Sequence, residues 1–164
     1  MKKLTWLALL MLTGCAGNST PLPQTSAKAP AGLIKILEHD GVTSYIDARV
    51  ISTYQGNSHL RRFYFINNYA KRTLIMENPA VYVSSSRAID VINCDKNQRA
   101  VMGRTLFSDP FAEGDLIHAD LDVGQWETFP KDSLIGIMAE SMCSIPVEKL
   151  KPEPAKETRK PLLD

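Results

Sequence analysis

Three cysteines and three histidines in 164 residues leave little material for metal or thiol chemistry. A zinc site needs Cys and His clustered at ligand spacing. His39, His59 and His118 instead stand singly beside turns or loops, with no second ligand at i, i+4 on a helix. The absence of a Gly-x-Ser-x-Gly elbow removes the α/β-hydrolase nucleophile. The absence of a glycine-rich loop removes the usual phosphate cradle. No apolar run approaches the roughly 20 residues of a membrane span. Charge of neither sign dominates, since 19 Lys and Arg meet 18 Asp and Glu. With no polybasic stripe or aromatic-interleaved basic patch, nucleic acid is not an expected partner. Asp109, Glu113, Asp115, Asp120 and Asp122 crowd one segment, but they lack the alternating ligands and terminal glutamate of a calcium loop. They read as a solvated acidic loop. The chain is expected to be no enzyme and to carry neither metal nor cofactor.

The first residues are the most informative ones present. Lys2 and Lys3 precede an apolar segment, Leu4 to Leu12, broken only by Thr5, and small residues then lead into Cys15. Basic start, short apolar middle and small-residue exit are the anatomy of a secretory signal peptide. Leu12-Thr13-Gly14-Cys15 resembles the lipobox of bacterial lipoproteins, in which the cysteine is acylated and the chain is cut just before it. Two or more acyl chains hold stably where one is marginal, at about 0.8 kcal/mol per buried methylene. Ala16 rather than aspartate follows the cysteine, which in such lipoproteins points to the outer membrane. The expected anchor is therefore lipid on Cys15, with residues 1–14 as leader and everything after it in an oxidising space.

Removing the leader leaves 150 of the 164 residues, enough for one domain with a core. Lys2 and Lys3 leave with it, so 17 basic side chains face 18 acidic ones. With Cys15 committed to lipid, Cys94 and Cys143 remain as a pair with only one possible connectivity. A metal site or a catalytic thiol is the alternative, and neither finds companions in the sequence. A disulfide is the expectation, worth roughly 4 kcal/mol for a loop of this length.

Residues 15–32 are rich in Ser, Thr, Pro and Ala and read as a tether. From Pro146 to the end, charge alternates with proline and almost nothing apolar, which predicts a disordered tail over residues 146–164. The folded domain should span residues 33–145. Inside it the apolar period is mostly two. Leu33 to Glu38 and Val42 to Asp47 flank Asp40-Gly41, a hairpin-turn signal. Val50 to Tyr54 reads either as a brief strand or as the approach to the Gln55-Gly56-Asn57 turn. His59 to Tyr69, Val81 to Cys94 and Arg99 to Phe107 follow as strands, and Phe107 to Gly124 reads as a long loop. Short connections make the neighbours antiparallel. Asp132 or Ser133 then caps one helix, with Leu134, Ile135, Met138, Met142 and Ile145 along a stripe. The fold class expected is α+β: an antiparallel sheet of about five or six strands, a C-terminal helix packed on one face, and a disulfide tying the two together.

Trp126 and Phe129 read as core or helix-entry residues. Arg61 and Arg62 fall on opposite faces of one strand and, with Lys71 and Arg72, read first as solvated charge. If a protein partner is bound, the expected place is an exposed sheet surface around Arg61, Arg62 and Tyr64. A homodimer is left open.

The ordered set of signals resembles the surface-adhesin protein E family of Gram-negative lipoproteins. The likeness lies in the opening hairpin from Ile34 to Asp47 and the Arg62-Phe63-Tyr64 strand. It continues through Cys94 with its approach from Ser86, Trp126 to Pro130, Ser133, and Cys143. The resemblance covers about 110 residues, one domain's worth. It implies an antiparallel sheet with a disulfide-tied helix, surface exposure, and binding of host extracellular proteins such as vitronectin and laminin. The runner-up function is a periplasm-facing structural or envelope-assembly accessory on the same lipid anchor.

Overall fold

The structure is a computed structural model that describes residues 28–121 and 124–163. Eight strands make one antiparallel sheet: β1 (Leu33–His39), β2 (Val42–Asp47), β3 (Ser52–Tyr54), β4 (Asn57–Met76), β5 (Val81–Asn93), β6 (Gln98–Phe107), β7 (Leu116–Asp120) and β8 (Glu127–Thr128). Their order is β1-β2-β4-β5-β6-β7, with β3 on the first half of β4 and β8 on the start of β6. One helix, α1 (Leu134–Cys143), packs on one face. The architecture is the α+β arrangement anticipated, with more strands than expected.

Local chemistry explains the elements. Asp40 and Gly41, and again Gln55 and Gly56, both take positive φ, as a two-residue turn between twisted strands requires. The side chain of Ser133 accepts a hydrogen bond from the Gly136 amide at 3.2 Å and caps α1. A Cβ on Gly136 would stand 2.4 Å from the Lys131 carbonyl, so glycine is what lets the incoming chain pass this close to the helix.

Two apolar clusters hold the sheet. Beneath α1, Ile46, Phe63 and Ile92 meet Met138, Ala139 and Met142. Farther along, Val81, Val83 and Ile117 pack with Tyr69, Met76 and Leu106. Arg61, Phe63 and Phe65 alternate toward the helix face, and Arg62, Tyr64 and Ile66 toward the other.

Four expectations need correction. The strand expected at His59–Tyr69 runs from Asn57 to Met76, because β5 accompanies it past bulges between Asn68 and Thr73 and between Leu74 and Met76. The segment expected as a loop from Phe107 to Gly124 contains β7, whose Leu116 and Ile117 are buried; two apolar residues between Asp115 and His118 carry too short a period to read. On α1 the expected Ile135, Met138 and Met142 do face inward, joined by Gly136 and Ala139, while Leu134, at the first helical position, turns to solvent. Most consequentially, residues 146–163 are not a free tail. After a 3-10 turn at Val147–Lys149 they lie across the sheet face opposite the helix.

Candidate functional site

The helix face is built for structure. Arg61 retains only 4% of its exposure and donates to the carbonyls of Ser58 at 2.7 Å, Met142 at 3.3 Å and Ile145 at 3.3 Å. A cation at the C-terminal end of a helix, where carbonyls lack amide partners, is favourable. Burial lowers the Arg61 pKa from its usual value without another charge to offset it. Arg61 is thus an internal strut, not an exposed contact residue. Beside it Cys94 and Cys143 are bridged, with Cα atoms 5.7 Å apart.

Asp90 is the one carboxylate on this side that invites a catalytic reading. It is fully buried, bonded to Arg99, and has Oδ2 without a hydrogen-bond partner. Burial pushes its carboxyl upward, against the opposing pull of Arg99. Such a group flags a site only where it faces a cleft. The cleft beside the disulfide, about 240 Å³, is lined by Asn93, Asn97, Lys131 and Glu140, and Asp90 takes no part in it. Among the described residues no three of His, Cys, Asp and Glu gather as metal ligands.

On the opposite face a basic and aromatic array forms. The ring of Tyr64 lies between two guanidiniums, with Arg62 Cζ at 4.6 Å and Arg87 Cζ at 4.5 Å from its centroid. Arg62 also donates to the Tyr64 hydroxyl at 3.1 Å. Arg87 Cζ also lies 5.1 Å from the centroid of Phe107, and Arg159 of the C-terminal segment reaches the same ring at 5.6 Å. Arg62 is 4% exposed, since the C-terminal segment covers it. Of the residues predicted for a binding surface, then, Arg62 and Tyr64 share a site and Arg61 belongs to the other face; the two arginines are buried rather than displayed.

The C-terminal segment brings carboxylates to this array. Glu153 accepts from the Gln55 amide at 2.8 Å and stands 3.9 Å from Arg62. Glu157 accepts from Arg87 at 3.1 Å and from Arg159 at 3.0 Å. The Arg159 bonds, chiefly, and that from Arg87 lower the Glu157 carboxyl to about 2. Backbone amides pin the two ends: Lys151 to the Ile51 carbonyl at 3.0 Å, Leu162 to Leu116 and Leu163 to Ile117 at 2.9 Å each. Sequence reading missed Arg87, Glu153 and Glu157. The spacing of the two glutamates, four apart in an otherwise basic and proline-bearing stretch, was the only available signal.

The sheet also has an open edge. β1 pairs with β2 alone, and its register slips between Lys35 and Leu37. That bulge puts Leu37 on the same face as Ile34, while Lys35 and Glu38 pair on the other. Ile34 and Leu37 are 53% and 48% exposed. A row of apolar side chains beside unpaired strand groups is a ready docking edge. Trp126, expected in the core or at the helix entry, is exposed ahead of the helix, while Phe129 packs against the cluster under α1.

Residues 33–144 match the family model of Surface-adhesin protein E. The chain belongs to the surface-adhesin protein E family. Its fold is that of protein E of Haemophilus influenzae, with a TM-score of 0.64 at 14% identity over 80% of this chain and 98% of that one. A second structure, protein E from non-typeable Haemophilus influenzae, gives 0.64 at 15% identity, covering 76% and 84%. Membership supports a surface adhesin and a location at the cell surface or outer membrane. Among the described residues no helix is long and apolar enough to cross a membrane. Cys15, the expected lipid site, lies outside the described residues.

Proposed function

We propose that this protein is a non-enzymatic adhesin, lipid-anchored through Cys15 in the outer membrane, that binds host extracellular proteins such as vitronectin and laminin. Family membership across the whole disulfide-bridged domain carries this reading. The open β1 edge supports it physically: an adhesin needs accessible surface, and an extended partner segment can add to β1 as a further strand. Alternate Ile34 and Leu37 would supply the side-chain contacts. The predicted centre at Arg61, Arg62 and Tyr64 moves to this edge, because charge reversal at two buried arginines would attack the fold instead.

The test uses the mature chain, residues 15–164 with Cys15→Ser to keep it soluble, on immobilised vitronectin and laminin at about 0.15 M salt. Saturable binding is expected, with at least a tenfold loss for Ile34→Lys with Leu37→Lys at unchanged circular dichroism. Two copies pairing through β1 would compete for the same edge, so light scattering is read alongside. If neither host protein is bound and antibody cannot reach the domain on intact cells, the adhesin reading fails. The envelope-accessory role then replaces it.

A further inference from the structure

The C-terminal segment enters beside β3, where Lys151 bridges to Ser52, and leaves beside β7, crossing β4, β5 and β6 on the way. It lies beyond the residues that define the family match. It has no strand or helix over this path, so what it contributes is a set of discrete contacts. Those contacts are the contacts of a bound peptide. Carboxylates meet guanidiniums on either side of an aromatic ring, and main-chain amides meet carbonyls at both flanks.

The fit is also incomplete. Arg62 is almost wholly buried, yet its contact with Glu153 is 3.9 Å long and its Nη1 has no hydrogen-bond partner. Nε of Arg87 is likewise without one. A buried guanidinium with spare donors is costly to leave so, and it favours an occupant whose carboxylates seat bidentately. The resident segment tolerates the mismatch because it is tethered, which gives it an effective concentration of order millimolar.

We propose that this face is a binding groove for an extended polypeptide segment carrying two carboxylates four residues apart, and that residues 151–163 are its internal, displaceable occupant. The backbone contacts at both flanks select polypeptide over an anionic glycan or lipid headgroup, which has no main-chain amides repeating at residue spacing to meet the Ile51 carbonyl at one flank and the Leu116 and Ile117 carbonyls at the other. The groove is separate from the β1 edge and does not depend on which host protein that edge meets.

The probe is a fluorescent synthetic peptide with the sequence of residues 151–163, added to the full mature chain and read by anisotropy. The unaltered chain should bind it weakly. Glu153→Gln with Glu157→Gln, which strips the resident segment of both carboxylates, should bind it at least tenfold more tightly. Adding Arg87→Gln should abolish that gain, and a probe with both glutamates replaced by glutamine should not bind either protein. Equal affinity of the unaltered and doubly substituted chains, or a gain that survives Arg87→Gln, overturns the proposal. Circular dichroism checks the fold of each variant. On the unaltered chain, saturating probe should accelerate amide exchange at Leu162 and Leu163; undiminished protection there overturns displacement without any substitution. A chain that exchanges its segment with a second copy, forming a dimer that excludes the probe, overturns the assignment to a separate partner.

Discussion

The disulfide lends itself to a quantitative test. Cys94 directly follows the strand β5 and Cys143 ends the helix α1, 49 residues later. Replacing both with alanine frees β6, β7, β8 and the helix from the covalent loop in the unfolded chain. The chain-entropy relation gives about 4 kcal/mol for a loop of roughly 50 residues. Unfolding entropy near the midpoint is about 2.1 cal/mol/K per residue, or about 0.23 kcal/mol/K for a domain of some 110 residues. The melting temperature should therefore fall by about 17 °C. Both cysteines pack partly against the cluster around Ile92 and Met138, so lost contacts act in the same direction. The assay is thermal unfolding of the soluble mature chain by calorimetry, with Cys94→Ala and Cys143→Ala compared against the bridged form. Thiol titration of the unreduced, unfolded protein verifies the bridge. A fall under about 5 °C with the bridge verified would refute loop closure as its main contribution. Two titratable thiols besides Cys15 would remove the bridge itself.

Three further outcomes follow from other residues. Cys15→Ser should move mature protein from the membrane fraction to the soluble one; correctly cut protein that still pellets would end the lipid-anchor reading. Arg61→Met keeps the apolar stem but takes the Arg61 donor from the Ile145 and Ser58 carbonyls and leaves the Met142 carbonyl with the Ile145 amide, so the urea midpoint should fall by the equivalent of about 2–3 kcal/mol with the slope unchanged. The Glu157 carboxyl is held at about 2 against an ordinary 4.5; because its folded value is the lower one, its stabilisation is complete above 4.5 and vanishes as pH falls toward 2. The Leu163 amide resonance should accordingly keep its folded position to pH 4 and lose it by about pH 2, whereas detachment already complete at pH 4 would contradict the Arg159 and Arg87 bonds.

What could be read in advance divides along physical lines. A strand with a partner on each side and a period of two, such as Val42–Asp47, announces itself because Ser44 and Ile46 are buried while Thr43 and Tyr45 between them are less so. The hairpin at Asp40-Gly41 was legible because few residues accept positive φ. The two cysteines had no other plausible partner. The five-residue β7 was not legible, since its pairing with β6 rests on backbone groups that every residue carries. Nor was the role of the C-terminal segment, whose composition says only that it brings little apolar surface. What holds it is the placement of Arg62 and Arg87 on adjacent strands, a relation set by register and invisible along the chain. Arg61 and Arg62 were correctly assigned to opposite faces, but their burial depends on coverings that lie more than eighty residues away in sequence.

Both coverings of the sheet are supplied from residue 134 onward, the helix on one face and residues 151–163 on the other. A chain made from its N-terminus therefore completes all eight strands before either layer exists. In that interval Phe63 and Ile92 lie bare on one side and the Arg62–Tyr64–Arg87 array on the other, open to any neighbouring chain. A stop at residue 131 would leave a full complement of strands with the Val81, Val83 and Ile117 cluster but with Phe63 and Ile92 uncovered. Residues 134–163 thus close the interior over Phe63 and Ile92 and cover Arg62 and Arg87 only after the whole sheet has been made.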